Sequence, residues 1–127
     1  MANDQLPDRI RESLTPLLEP GEQLLAVGAF QSGGSWVELP KPTFFTMRDW
    51  FVGATDRRVI LAKQGRLSRK ILEDGVFSVT RENVVLKKDF LSTVLRIKSP
   101  DRKIPKRLQS LLGTGFDKDE FAKALTS

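Results

Sequence analysis

Residues 53–63 read GATDRRVILAK. The run Trp50–Thr55 leads into Asp56-Arg57, and an apolar run resumes over Arg58–Lys63. Two such runs separated by two turn-forming residues predict an antiparallel hairpin, although the turn lacks the glycine that two-residue hairpins favour. The chain on either side extends this pattern. Downstream, Gln64-Gly65 predicts a turn, Leu67–Leu72 a strand, Asp74-Gly75 a further turn, and Val76–Arg81 and Val84–Lys88 two more strands. Phe90–Lys98 alternates most cleanly: Leu91, Thr93, Leu95 and Ile97 on one side, Ser92, Arg96 and Lys98 on the other, with Val94 the one apolar residue among the polar ones. Lys103–Leu112 reads as a last strand running into a helical turn.

Upstream, QLLAVGAFQ (23–31) reads as a strand bounded by Ser32-Gly33-Gly34-Ser35. Residues 36–49 suggest a short strand near Trp36–Leu39 followed by a loop interrupted by Pro40 and Pro42. A helix is expected over about 7–18, with Pro7 in its first turn and Ile10, Leu14, Leu17 and Leu18 on one apolar face. Pro16 should kink or shorten it, and Glu19-Pro20-Gly21-Glu22 stops it. At the other end Asp117 and Glu120 have the form of a capping box, opening a helix over about 117–126 whose apolar face is Phe121, Ala124 and Leu125. The expectation is one domain over residues 1–127, mainly β in an α+β arrangement, with its strands between about 23 and 112.

The order of these features resembles the bacterial pleckstrin-homology-like domains. Pro20-Gly21-Glu22 before an apolar first strand, Thr55-Asp56-Arg57-Arg58 leading into another, the VFSVT segment (76–80) and the C-terminal helix carry the resemblance, which spans roughly residues 17–126. It implies a bent, partly open antiparallel barrel of about seven strands, with the C-terminal helix covering one end. Some members of that group form ring-like oligomers. The chain departs from the pattern in its long 31–49 connection. It also has no Lys or Arg between Gln23 and Pro40, so the phosphoinositide site of eukaryotic relatives does not carry over.

Composition narrows the chemistry. At 39% hydrophobic and 29% charged the chain is an ordinary globular sequence. It contains no Cys and no His, which removes disulfides, thiolate metal sites and the commonest general base. No phosphate-loop, dinucleotide or nucleophile-elbow motif occurs, and Asp56, Glu73, Asp74, Glu82 and Asp89 all sit at turns or beside cations. The reading is therefore of a non-enzyme, with no catalytic residue, cofactor or metal. No run approaches the ~18 apolar residues of a membrane-spanning helix, and the N-terminal stretch lacks a signal-like apolar region. A cytoplasmic protein is expected, with the inner face of the membrane as its alternative station.

Two surfaces are candidate sites. Trp36, Phe44 and Phe45 flank two prolines that forbid regular sheet pairing, so they are expected to protrude and to dock a protein partner or a second copy. The plainer reading puts them in the core. The second surface is basic. Residues 57–107 carry 15 Lys or Arg and 5 acids, and Arg66, Arg69, Lys70, Lys87, Lys88, Arg102, Lys103, Lys106 and Arg107 are candidates to bind anionic lipid, or more weakly nucleic acid. The plainer reading is a solvated surface that protects exposed strand edges. Thr55-Asp56-Arg57-Arg58 is read as structural: an Asx turn with one arginine paired to a carboxylate.

Overall fold

The computed structural model describes residues 2–32, 48–65, 71–88, 93–101, 103–110 and 118–126. Helix α1 spans Ala2–Leu14 and passes into a 3-10 turn at Thr15–Leu17. Seven strands follow: β1 (Leu24–Ser32), β2 (Arg48–Thr55), β3 (Val59–Gln64), β4 (Ile71–Val79), β5 (Val84–Lys88), β6 (Thr93–Ile97) and β7 (Arg107–Ser110). Helix α2, Lys118–Thr126, closes the described chain. The strands form one antiparallel sheet in the order β4-β3-β2-β1-β7-β6-β5, with no pairing between β4 and β5 among the described residues. This is the partly open, seven-stranded antiparallel arrangement that the resemblance implied.

The two halves of the sheet are buried differently. In the β1–β4 half both faces are apolar. Val52, Ala54, Val59 and Leu61 face an inner core, while Val27, Phe51, Ile60 and Ala62 face a second cluster built on Ile10 and Leu14 of α1. A continuous apolar run such as Val59–Ala62 is what a strand covered on both sides requires. A bulge lets β1 serve both clusters: the register slips between Leu24 and Ala26, so Leu25 and Ala26 both turn to the inner core while Leu24 meets α1. A Cβ at Gly53 would stand 2.8 Å from the side-chain ends of Leu14 and Leu24, so the glycine is what lets α1 lie this close.

In the β5–β7 half only the inner face is apolar. Val84, Leu95, Ile97 and Leu108 join the inner core, which Phe121 of α2 enters edge-on to Phe30 with ring centroids 5.9 Å apart. Thr93 and Ser110 stand opposite each other across β6 and β7. Their buried hydroxyls have no hydrogen-bond partner among the described residues.

The elements differ from the expected ones in three places. Helix α1 begins at Ala2, so Pro7 lies inside it. The N–H that Pro7 lacks would have bonded the carbonyl of Asn3, one residue into the helix, where water can replace it. Pro16 ends the α-helical part as expected, and the chain tightens into the 3-10 turn. Asp74-Gly75 is not a turn. The pairs Ala62↔Val76 and Gln64↔Ile71 place four residues of β4, 72–75, opposite Lys63 alone. The two expected strands around Asp74-Gly75 are thus one bulged strand, since an Asp-Gly pair serves a bulge as readily as a hairpin. The last strand is shorter than expected, because Asp101–Ile104 forms a turn closed by the Ile104 N–H donating to the Asp101 carbonyl. The expected strand at 36–39 lies outside the described residues.

Thr93, Leu95 and Ile97 are buried, and Arg96 and Lys98 are exposed, as the alternation predicts; Leu91 lies outside the described residues. Val94 is 4% exposed although it belongs to the outer face. Leu95→Ala should destabilise by about 2–5 kcal/mol, and Arg96→Ala by no more than about 0.5 kcal/mol. Urea titration of both variants checks this, and the reverse order would mean the strand is inverted. Gly53→Ala should cost about 1–3 kcal/mol by overpacking beneath α1, read as a lower urea midpoint.

Candidate functional site

The two segments that carried the resemblance meet in space. Pro20 and Gly21 occupy the middle of a turn in which the Glu22 N–H donates to the Glu19 carbonyl at 3.0 Å. Gly21 has φ +80°, the left-handed value that the third residue of a type II turn needs. The turn aims the Glu22 side chain inward, where none of it is exposed. Arg58 meets it as a fork: Nε donates to Oε2 at 2.9 Å and Nη2 to Oε1 at 3.0 Å. The Thr55 hydroxyl donates to Oε2 at 2.7 Å and the Glu19 N–H to Oε1 at 3.0 Å. Arg58 donates further to the Leu17 carbonyl at 3.1 Å and the Ser78 hydroxyl at 2.6 Å. The Arg58 hydrogen bonds, opposed by burial, hold the Glu22 carboxyl at about 2, well below its ordinary value.

Every lone pair and nearly every donor in this cluster is used, so it offers nothing to a substrate or ligand. It is structural, as the sequence reading had it, but the parts are distributed differently. Thr55 closes the hairpin turn by accepting from the Arg57 and Arg58 N–H groups at 3.1 and 2.9 Å. Asp56 instead reaches the residue before β1, where its Oδ1 accepts from the Gln23 N–H at 3.0 Å.

The outer face of β5, β6 and β7 around Val85 and Arg96 is the candidate site, whereas Val94 farther along the same face is buried. Residues directly opposite on neighbouring strands share a face. Val85 pairs with Arg96 and Arg96 with Arg107, while Lys87 pairs with Val94 and Val94 with Gln109. Lys98, two residues beyond Arg96, lies on the same side and continues the row. Of these Val85, Arg96 and Lys98, together with Lys106 and Glu82, line an open groove of about 480 Å³. Val85, 51% exposed, is the exposed large hydrophobic residue among the described ones. No ion pair or side-chain hydrogen bond engages Arg96, Lys98, Lys106 or Arg107 among the described residues. On the other half of the molecule Arg11, Arg57 and Arg58 each meet a carboxylate, at 3.5, 3.6 and 2.9 Å.

The structure thus brings together part of the expected basic surface. Lys87 and Arg107 lie on the face, Lys106 at the groove, and Lys103 is exposed on the turn before β7. Lys88 ends β5, and its side chain is not described. Arg66, Arg69, Lys70 and Arg102 lie outside the described residues, as do Trp36, Phe44 and Phe45. Arg96 and Lys98 were not among the candidates. Their signal was the alternation that marked them as outward, but the register that sets Arg96 between Val85 and Arg107 is not written in any one strand. Among the described residues no cluster of acidic side chains is suited to a metal ion, and no helix is long and apolar enough to cross a membrane.

No protein family matches the chain, and no curated protein is significantly similar to it. In structure it is similar to a DUF1696 family protein with a pleckstrin-homology domain from Shewanella loihica, at 18% identity and a TM-score of 0.49, over 94% of this chain and 89% of that one.

Arg58→Ala should leave Glu22 buried and unpaired and cost about 3–5 kcal/mol. Arg57→Ala, which removes an ion pair with both side chains about half exposed, should cost no more than about 1 kcal/mol. Because folding lowers the Glu22 pKa from 4.5 to about 2, the stability it contributes is complete above 4.5 and is lost as pH falls toward 2. Glu22→Gln should be less stable at neutral pH and flatten the acid limb of stability against pH over that window. An unchanged acid limb would show that Glu22 is not the group responsible.

Proposed function

We propose that this chain is a non-catalytic binding module that works by protein–protein contact, self-association included, through the outer face of β5–β7. The observation that carries the reading is the contrast between the two sheet halves. One outer face is sealed by α1, while the other presents Val85 amid cations that have no partner among the described residues. A half-exposed apolar side chain in a groove gains when a partner side chain covers it, and unpaired cations around it supply orientation. The aromatic segment with Trp36, Phe44 and Phe45 remains a second proposed contact in the same assembly.

Anionic membrane is the competing ligand, and the groove speaks against it. A lipid surface engages apolar side chains that protrude, whereas Val85 lies on the flat of a sheet. Nucleic acid would call for stacking aromatics, and among the described residues Phe30, Trp50, Phe51 and Phe121 are buried and Phe77 is partly buried against the core. The test is Val85→p-benzoylphenylalanine, irradiated in cells. Discrete protein adducts are expected from position 85 and not from the same replacement at exposed Asp49, and their masses would tell a second copy from another protein. Adducts to lipid alone, or none beyond the Asp49 control, would overturn the reading.

A further inference from the structure

Taking that protein-binding reading as given, we infer that the β5–β7 groove receives an acidic, extended segment of a partner protein, with one apolar side chain seated on Val85. The argument is one of charge and periodicity. Lys87, Arg96, Lys98 and Arg107 share one sheet face, Lys106 adds a fifth cation in the lining of the groove, and Glu82 is the one acidic side chain in that lining. Within residues 51–127 there are 17 cations to 9 acids, a surplus of 8, whereas residues 1–50 hold 4 to 7. Of that surplus 6 lies in residues 84–110, which build this face and hold 8 cations to 2 acids, and no described ion pair engages them.

The spacing selects an extended ligand. Arg96 and Lys98 are two residues apart on β6, and Val85 and Arg107 flank Arg96 on the neighbouring strands, a separation of about 5 Å each way. In an extended segment alternate side chains point to the same side about 7 Å apart. A segment with acid, apolar and acid side chains at alternating positions can therefore set its apolar member on Val85 and its acids against Arg96, Lys98 or Lys106. A helix brings side chains to one face at three- and four-residue intervals, which fits the two-residue repeat of β6 less well.

The experiment measures fluorescence anisotropy of the labelled peptide Ser-Glu-Ser-Leu-Ser-Glu-Ser-Glu on the wild-type chain. Controls carry Leu replaced by Ser, or Glu replaced by Gln. Salt-sensitive binding of the acidic peptide is expected, weakened in both controls and lost by roughly tenfold or more in Arg96→Glu/Lys106→Glu. Lys106→Glu alone, outside any strand, repeats the test without touching the sheet, and Val85→Ser should lose the preference for Leu over Ser. No binding, or binding indifferent to these substitutions, overturns the inference. So does capture of the wild-type chain by phosphatidylserine vesicles that compete with the peptide for the same residues, which would give the face to lipid. Position-85 protein adducts that persist in Arg96→Glu/Lys106→Glu would separate the two ideas: the protein-binding reading stands and the acidic segment falls.

Discussion

A carboxylate with no exposed surface must be neutralised inside the fold, and here that demand falls on Arg58. Its guanidinium can meet Glu22 only when the Pro20-Gly21 turn is formed, the β2–β3 hairpin is closed by Thr55, and β4 has brought Ser78 alongside. The same guanidinium holds the Leu17 carbonyl, at the end of the 3-10 turn that delivers α1 to the sheet. One side chain thus ties together the helix exit, the first turn, the central hairpin and the fourth strand. Removing either partner leaves the other charged and dry, which costs far more than the loss of a surface ion pair. That asymmetry explains why Arg57, the very next residue in sequence, with an ion pair of its own, is dispensable by comparison.

The placement of α1 follows from that anchor and decides which surface is left to bind. Once the chain leaves Leu17 at this point, α1 can lie only across the β1–β4 half, and Gly53 gives it room to press close. Arg11 secures it further, donating to the Leu24 carbonyl at 3.3 Å and reaching Glu120 of α2 at 3.5 Å. The β5–β7 half receives no such cover from the described residues. It is served on its inner face by α2, whose end is held by Arg81 donating to the Ala124 carbonyl at 3.1 Å. A single sheet therefore has one outer face spent on the protein's own helix and another available to something else.

Much of this was legible in the sequence where local chemistry and tertiary demand agree. The apolar run over 59–62 read as a strand and the alternation over 93–98 as a strand covered on one face; both are found, and the first proves to be covered on both faces. The Thr55-Asp56-Arg57-Arg58 turn read as structural because acids and hydroxyls at turns so often bond backbone, but its partner, Glu22, lies 36 residues away from Arg58 and no local rule names it. Asp74-Gly75 misled because the same two residues suit a turn and a bulge, and only the pairing of Ala62 and Gln64 on β3 distinguishes them. The groove was half visible: Lys106 and Arg107 stood out as a basic run, whereas Arg96 read as one more solvated cation until the register placed it beside Val85.

The two halves of the sheet meet where β1 runs beside β7. Among the described residues β1 pairs with β7 at Gln31↔Gln109 alone, while the hairpin and meander contacts on either side are many and close in sequence. From within, Phe121 of α2 packs against Phe30 of β1 and binds that helix to the β1–β4 half. The Glu22–Arg58 anchor lies wholly in the β1–β4 half, so a local opening of the β5–β7 meander leaves it intact. Amide exchange would then proceed on two clocks, faster in the half that carries the groove. A ligand laid across β5, β6 and β7 would slow the faster clock, coupling occupancy of an exterior surface to the rigidity of the core behind it.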